Sequence, residues 1–382
     1  MSRFVYADNA ATSKVLPEVV EEMIPYLEKN FGNPSSIYSV GKEAKEAVER
    51  SRKTIAECIN ADPDEIFFTS SGTESDNWAI KSSYRSGKHI ISSKIEHHAV
   101  LKSLSYLERQ GAQISYLSPD KFGVISPESL EKEISSDTNF VSIMTANNEI
   151  GTIQPIEDFA QICKDHKIKF HTDAVQAVGH IKIDAKSLGI DMLSASAHKF
   201  NGPKGIGFLY VRKGVPLSSF VHGGAQERNR RAGTENVHNI VGMAKALEIA
   251  SNNMESNKNH LVNLQERLIE NVLKIPESIL TGHPSKRIPG TASFCFKGIE
   301  GESLLLNLDF CGICTSSGSA CTSGSLDPSH VLLAIGLPHE IAHGSLRISL
   351  GHDNSVDDVD YIISVLPPIV EKLRKMSPLW NK

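Results

Sequence analysis

Short apolar runs alternate with amphipathic stretches along the first two thirds of the chain. In residues 42–60, apolar side chains recur every three or four positions, which is typical of a helix with one buried face. The run 66–69 is instead short and continuous, as expected for a buried strand. The pattern predicts strands at 4–6, 65–69, 89–92, 114–117, 140–145, 169–172, 192–195 and 206–211, and helices at 17–30, 42–60, 74–83, 99–110 and 156–166. Because the two kinds of element alternate, the sequence predicts an α/β layer with a mostly parallel sheet.

The last third of the chain has a different pattern, with two long predicted helices in succession. The first, 236–252, is expected to close a large domain, and the second, 259–273, to open a smaller one. The predicted elements after them are strands at 292–296 and 345–350, a helix at 304–308, and a helical region at 356–376 that is interrupted near Pro367 and Pro368. The predicted domains are an N-terminal segment, 1–15, which packs with the small domain, a large domain, 16–258, and a small α/β domain, 259–382.

Composition narrows the class of protein. The chain has 382 residues, 40% of them hydrophobic, which is enough for a large core and two domains. Its formal net charge of -5 indicates neither nucleic-acid nor membrane partners. Residues 1–14 contain no apolar signal region and no apolar run approaches the length of a membrane span, so a cytoplasmic protein is expected. Six cysteines in a chain of this size do not indicate a disulfide framework.

The sequence Ser196-Ala197-His198-Lys199 places a lysine where a predicted strand ends. A turn containing glycine and proline follows, and then the apolar run 206–211. A lysine framed in this way suits an amine that holds pyridoxal phosphate as a Schiff base. Taken alone, an ordinary solvated loop lysine is the simpler interpretation, so the prediction depends on the rest of the chain.

Four other polar motifs also follow predicted strands. They are Ser70-Ser71-Gly72-Thr73-Glu74-Ser75, Glu96-His97-His98, Asn147-Asn148-Glu149-Ile150-Gly151 and Asp173-Ala174-Val175-Gln176. Gly72 and Thr73 open a helix whose exposed N–H groups favour a phosphate. His97 is suited to stack on a pyridine ring. Asp173 would be costly to bury unpaired, and a pyridinium N–H would pair it.

Each of these motifs also has a simpler explanation. The motif at 70–75 could be a capped helix start, and the one at 96–98 a helix-start histidine or metal ligand. The motif at 147–151 could be a turn, and Asp173 a buried helix-capping aspartate. The five sites nevertheless share one property, because each lies just after a strand. Ligands bind outside the carboxyl ends of the strands in an open α/β sheet, so one crevice would receive all five. That coincidence favours the cofactor.

Together with Arg231-Ala232-Gly233-Thr234, these motifs resemble those of the cysteine desulfurases, which are pyridoxal-phosphate enzymes of the aminotransferase fold (fold type I). The resemblance extends from Asp8 to about Gly351. It implies a homodimer with the cofactor near the interface. The residues that it implies for phosphate are Gly72, Thr73, Ser196 and His198, with Thr234 reaching the phosphate of the partner subunit. For the ring they are His97, Asp173, Gln176, Asn148 and Lys199, and for the substrate carboxylate Asn148 and Arg347.

A second centre is predicted in residues 315–326, which are mostly small, polar or glycine and indicate a mobile loop. The resemblance, to the branch of the family with a long loop, implies that Cys321 in this loop attacks the substrate sulfur and carries a persulfide. No metal site is predicted, although the sequence leaves open whether Cys321 also ligates an iron–sulfur cluster. Cys311 and Cys314 form a CxxC pair for which burial is favoured over a redox or metal role. The remaining cysteines, Cys58, Cys163 and Cys295, are expected in the core.

The predicted function is conversion of L-cysteine to L-alanine with transfer of sulfur to Cys321, in support of iron–sulfur cluster assembly or other thio-cofactors. Lys199 is the expected base, and His97 is a candidate proton carrier. Expected partners are L-cysteine, a second copy of the chain, and a sulfur acceptor or iron–sulfur scaffold protein. The alternatives are a selenocysteine lyase or an aminotransferase of the same fold, and a non-catalytic sulfur-transfer scaffold, which would bind no chromophore.

Overall fold

The computed structural model describes residues 3–317, 328–378 and 380. The strands are β1 (Val5–Tyr6), β2 (Ile66–Thr69), β3 (His89–Ser93), β4 (Gln113–Leu117), β5 (Thr138–Ser142), β6 (Lys169–Asp173), β7 (Met192–Ser196), β8 (Gly207–Val211), β9 (Ser278–Thr281), β10 (Thr291–Phe296), β11 (Ile313–Cys314) and β12 (Ser345–Ser349). The helices are α1 (Pro17–Glu28), α2 (Ser39–Cys58), α3 (Gly72–Ser83), α4 (His98–Glu108), α5 (Pro127–Glu133), α6 (Ile156–Asp165), α7 (Ala185–Leu188), α8 (Gln226–Asn229), α9 (Val237–Asn252), α10 (Met254–Val272), α11 (Gly301–Phe310), α12 (His330–Ala334), α13 (His339–Ala342) and α14 (Val356–Met376). Short 3-10 turns cover Pro63–Glu65 and Ala197–Lys199.

Seven of the described strands form the main sheet, in the spatial order β2-β8-β7-β6-β5-β3-β4. β8 is antiparallel to both of its neighbours, whereas the other pairs are parallel. The predicted mostly parallel sheet is therefore confirmed. Because every strand except β8 points the same way, the carboxyl ends of six strands meet at one edge of the sheet.

Helices cover both faces of the main sheet. On one face, residues of α2, α6 and α9 pack with strand residues such as Val141 and Phe170. On the other face, Trp78 of α3 and Leu104 of α4 pack with Phe140. Burial on both faces explains why these strands appear as continuous apolar runs in the sequence rather than as an alternating pattern.

The C-terminal part of the chain has a core of its own, which it shares with the N-terminal segment. A three-stranded antiparallel sheet, β12-β10-β9, packs with α10, α11 and α14. Val5 and Ala7 belong to the same core, because β1 pairs in parallel with β11. The proposed division of the chain at residues 15 and 258 stays a prediction.

The predicted interruption of the last helix is wrong. α14 continues from Val356 to Met376 with Pro367 and Pro368 inside it, although a proline in a helix interior costs about 3 kcal/mol. Its apolar stripe, which includes Ile362 and Leu366, packs into the C-terminal core, and this tertiary packing outweighs the lost backbone hydrogen bonds. None of the helices in the described ranges is both long and apolar enough to span a membrane.

The cysteines of the described ranges are free thiols. Cys163 and Cys295 are buried in the core as expected, whereas Cys58 is only half-buried and packs at the edge of the core. Cys311 and Cys314 are also half-buried, so the expectation of full burial for this pair is wrong. Cys311 lies at the end of α11, and Cys314 is in the two-residue strand β11, in which Ile313 is buried and Cys314 is only partly covered.

Candidate active site

Strand ends of the main sheet open into one cavity of about 340 Å³. The sequence-predicted residues that line it are Gly72, Thr73, His97, Asn148, Asp173, Gln176, Ser196, His198, Lys199 and Arg347. Thr234 is exposed and does not line this cavity. Cys321 lies outside the described residues. The structure thus brings ten predicted residues together from widely separated parts of the chain.

Lys199 ends the 3-10 turn that follows β7, so its side chain starts at the open edge of the sheet. Its Nζ donates hydrogen bonds to the carbonyl oxygens of Ala10 and Ala11, at 2.7 and 2.8 Å. Both alanines line the cavity. The amine is therefore held at the cavity wall by the N-terminal segment, a contact that sequence reasoning missed.

The N-terminal segment is tied to the site at further points. The Nε2 of Gln176 donates to the carbonyl of Ala10 at 3.0 Å, and the Nδ1 of His198 lies 3.1 Å from the hydroxyl of Thr12. The backbone N–H of Ser13 donates to the carbonyl of His198 at 2.8 Å. Burial, together with the charge of Lys199, lowers the pKa of His198 to about 4. The imidazole of His198 is therefore neutral at physiological pH.

Gly72 and Thr73 form the first turn of α3, directly after β2. Ser71 caps this helix through its hydroxyl, which accepts from the N–H of Glu74. The first N–H groups of a helix have no partner inside the helix and favour an anion. A Cβ at Gly72 would lie 2.5 Å from a methyl group of Val175, so only glycine leaves this approach open.

Asp173 is buried at the carboxyl end of β6, and one carboxyl oxygen accepts from the N–H of Val175 at 2.9 Å. Burial raises the pKa of Asp173 even though that hydrogen bond and the charge of Lys199 lower it. Asp76 of α3 lines the same cavity, and burial together with the charge of Asp173 raises its pKa well above the usual range. A ring N–H in this cavity would provide the partner that a buried carboxylate requires.

Asp76 belongs to a buried polar network that was not predicted from the sequence. His171, which is inaccessible to solvent, lies with its Nδ1 2.9 Å from the hydroxyl of Ser142 and its Nε2 3.0 Å from that of Ser194. Its Nε2 is also 3.7 Å from a carboxyl oxygen of Asp76. Burial lowers the pKa of His171 to about 3. This histidine is neutral, and alternation along β6 alone could have indicated that it faces α3.

His97 caps the N-terminus of α4, with its Nδ1 accepting from the N–H of Ala99 at 3.1 Å. The interpretation of this histidine as a helix-start residue is therefore confirmed. The ring also lines the cavity, and burial followed by the charge of Lys199 lowers its pKa to about 4. Because Nδ1 is an acceptor, the neutral ring carries its proton on Nε2.

Arg347 reaches the cavity from β12, in a different sheet. Its guanidinium donates to the carbonyl of Asn148 at 2.9 Å and to a carboxyl oxygen of Asp8 at 2.8 Å. The Nε of Arg347 is buried without a hydrogen-bond partner among the described residues. Asp8 was not predicted as a site residue. It follows β1 and forms a parallel bridge with Ser349, which brings it beside Arg347.

The chain matches the Aminotransferase class-V family over residues 5–362. It is 56% identical to the cysteine desulfurase IscS of Methanosarcina thermophila, over 100% of this chain and 95% of that protein. A solved structure described as a NifS-like protein superposes with a TM-score of 0.92 at 40% identity, covering 97% of this chain and all of the other. A structure described as SspA in complex with cysteine superposes with a TM-score of 0.81 at 35% identity, covering 92% of this chain and all of the other.

Matches of this extent define the class of protein. The chain belongs to the aminotransferase class-V family of pyridoxal-phosphate-dependent enzymes and, within that family, to the cysteine desulfurases. The fold, the cofactor and the enzyme class expected from the sequence are thereby confirmed.

Proposed function

We propose that this protein removes sulfur from L-cysteine and receives it on Cys321, and that the persulfide serves iron–sulfur cluster assembly or other thio-cofactors. The carbon–sulfur bond of the substrate breaks and a sulfur–sulfur bond forms, so cysteine plus a protein thiol gives alanine plus a protein persulfide. No external oxidant or reductant is needed. The observation that carries the proposal is the single cavity in which Lys199, Asp173 and Arg347 meet.

The residues around the cavity fit pyridoxal phosphate. Gly72, Thr73, Ser196 and His198 would hold its phosphate, and Gly72 fits because a side chain there would collide with Val175. The residues that would hold the ring are His97 on its face, Asp173 at its nitrogen, Gln176 and Asn148 at its oxygen, and Lys199 by covalent attachment. When bound, the cofactor supplies an electron sink next to the substrate carbon.

Lys199 would carry the proton at the α-carbon of the substrate. A free lysine amine has a pKa near 10.4, so only about one in a few thousand is neutral at pH 7. The carbonyl oxygens of Ala10 and Ala11 hold the amine at the cavity wall. His97, which is neutral with its proton on Nε2, is the second group placed to move a proton.

Arg347 and Asn148 would bind the substrate carboxylate. The planar fork of an arginine suits a carboxylate, and the buried Nε of Arg347 is an unpartnered donor within the described residues. Asp8 fixes the other side of the guanidinium. A charge that is already held in place loses little conformational freedom when substrate binds.

Cys321 would act as a thiolate, because the neutral thiol is a poor nucleophile. Cys314 is the rival for this role, but burial and the charges of Asp309 and Asp8 raise the pKa of its thiol, which disfavours the thiolate. Replacing Cys321 by alanine should leave cofactor and cysteine binding intact and stop alanine production. Cys314→Ala is the matched control. Sulfur label that stays on the Cys321 variant and is lost from the Cys314 variant would transfer the role to Cys314.

We also propose a homodimer in which Thr234 reaches the phosphate site of the partner subunit. Thr234 is exposed and lies outside the cavity of its own chain, as a residue that serves a partner would. Sedimentation at assay concentrations should show a dimer. A fully active monomer would contradict this assignment.

The whole proposal is tested by the absorbance of the purified protein. A band at roughly 390–420 nm is expected from a pyridoxal group held by a lysine, and borohydride should abolish it. Addition of L-cysteine should shift the band and release alanine. A colourless protein that stays colourless with added pyridoxal phosphate would indicate a non-catalytic scaffold instead.

A further inference from the structure

The segment that carries Cys321 is fastened at both ends to residues beside the substrate pocket. On its N-terminal side, Ser316 and Arg347 exchange backbone hydrogen bonds of 3.2 and 2.7 Å. Arg347 itself lines the cavity. The chain therefore enters this segment directly from the proposed carboxylate site.

On the C-terminal side, the described chain resumes shortly before Ser329, which is buried and caps α12. The hydroxyl oxygen of Ser329 accepts from the N–H groups of Val331 and Leu332, at 3.1 and 3.2 Å. Both lone pairs of the hydroxyl are thus in use, so its hydrogen must point to its remaining partner, the carboxylate of Glu149. Next to it, the Nε2 of His330 donates to the carbonyl of Glu96 at 3.0 Å.

Both of these attachment points lie one residue away from the cavity wall. Glu149 follows Asn148, whose carbonyl accepts from Arg347, and Glu96 precedes His97. The turn at Glu149 is itself fixed, because the side-chain oxygen of Asn147 accepts from the N–H of Glu149 at 2.9 Å. Ser329 is therefore bonded to the side chain of a residue whose backbone is held in place by a further hydrogen bond.

Burial of the Glu149 carboxyl group at this place costs free energy. It is buried, and burial raises the pKa of its carboxyl to about 7 despite the bond from Ser329 and the charge of Arg347. No lysine or arginine forms an ion pair with it among the described residues. An amide would accept the same hydrogen bond without the cost of burying an acid. What this side chain contributes is therefore the acceptor for the hydroxyl of Ser329 and not its charge.

We propose that Glu149 is a positioning residue for sulfur transfer, which through Ser329 fixes the C-terminal end of the segment carrying Cys321 beside the substrate pocket. This inference rests on the proposed function, in which Cys321 receives the sulfur. Loss of the Glu149–Ser329 bond should slow the transfer of sulfur to Cys321 and leave the steps before it, binding of cofactor and of cysteine, unchanged.

The experiment uses the full-length holoenzyme and two single variants, Glu149→Ala and Ser329→Gly. Glycine removes the hydroxyl but keeps most of the capping preference, so α12 should remain folded. Matched controls are Glu65→Ala, which removes another buried carboxylate away from the cavity, and Ser126→Gly, which removes the capping hydroxyl of α5.

Two quantities are measured on each variant. The first is the dissociation constant of L-cysteine, from its effect on the cofactor absorbance. The second is the single-turnover rate at which labelled sulfur from cysteine appears on the protein. We expect the transfer rate to fall about tenfold in both variants, the dissociation constant to change less than about twofold, and the double variant to be no slower than either single one.

Three outcomes would overturn the inference: wild-type transfer rates in both variants, losses that multiply in the double variant, or cysteine binding weakened as much as transfer. If Glu149→Ala does not fold, Glu149→Gln, which keeps an acceptor for Ser329, should transfer at nearly the wild-type rate, and a tenfold loss there would count against the hydrogen bond. Failure of the proposed function is distinguished by Cys321→Ala, which would then still take up label.

Discussion

The two sides of the cavity are built in different ways. On the side proposed for the cofactor, Gly72, His97, Asp173 and Lys199 each lie at the carboxyl end of a strand of the main sheet or within four residues of it. On the side proposed for the substrate, Asn148 follows β5 of the main sheet, but Arg347 comes from a separate sheet and Asp8 from the other end of the chain.

The difference shows how each kind of site can be found. Parallel strands bring their carboxyl ends to one edge, so a polar motif after each strand is enough to predict a shared crevice. No such rule relates Asp8 to Arg347, which are 339 positions apart and meet only because β1 pairs with β11 and Asp8 with Ser349. We expect the two sides also to act separately when residues are replaced.

The largest effect is expected on the cofactor side. Lys199→Ala should lower turnover by roughly 10³-fold or more, because the group proposed to hold the cofactor and move the proton is lost. The folded structure should persist, as judged by circular dichroism. Lys204→Ala, an exposed lysine of the same loop, is the control and should be close to wild type. Full desulfuration by the Lys199 variant would remove this residue from the mechanism.

Asp173→Asn should lower turnover by about 10²-fold with the cofactor still bound, since an amide cannot hold the ring nitrogen protonated. Turnover and cofactor content are both measured. Asp191→Asn is a matched control, because Asp191 is also a buried aspartate but lies at the opposite end of β7, where it accepts from the N–H of Phe170. If both variants lost activity equally, the effect would come from folding and not from the ring contact.

On the substrate side, Arg347→Lys should raise the KM for cysteine about tenfold, because lysine keeps the charge but loses the two-pronged geometry. The cofactor absorbance should not change, which would separate the two sides. Asp8→Asn should act in the same direction with a smaller effect. Arg287→Lys, a buried arginine that bonds to carbonyl oxygens away from the cavity, is the control. A loss of cofactor from the Arg347 variant would contradict the separation.

The smallest effect concerns stability, at Glu96, the buried residue that precedes His97. Burial raises the pKa of Glu96 to about 8, despite hydrogen bonds from Ser93 and Met144. In the unfolded chain the pKa of a glutamate is about 4.3. Because the pKa is higher in the folded state, this carboxyl contributes its full stability below about pH 4.3. The contribution is lost progressively as the pH rises toward 8. The slope reaches at most about 1.4 kcal/mol per pH unit.

Glu96→Gln should therefore remove part of the decline in unfolding free energy between about pH 4.3 and 8, measured by denaturant titration at several pH values. Glu128→Gln is the control, because Glu128 is exposed and its pKa is lowered by the hydroxyl of Ser126, so the slope in this window should not change. Equal slopes in the wild type and the Glu96 variant would show that Glu96 is ionised in the folded protein.

Local pattern was enough for much of the fold. Helix periodicity placed α2, α6 and α9 to within a few residues, and the continuous apolar runs placed the strands of the main sheet. It failed at α14, where packing of Ile362 and Leu366 outweighs the two prolines. It also missed β9, in which only Thr281 is buried.

The sequence by itself predicted the residues of the proposed cofactor side, because each of them lies in a motif next to its own strand and parallel strands bring their carboxyl ends to one edge. The resemblance also implied Arg347 and Asn148 for the substrate carboxylate, but only the tertiary structure decided which contacts hold the residues of both sides in place. The pairing of Asp8 with Arg347, the carbonyls of Ala10 and Ala11 at Lys199, and the bond from Ser329 to Glu149 join segments that are far apart in the chain. Contacts of this kind depend on how two cores pack together, and side-chain packing between distant segments leaves no periodic signal in the sequence.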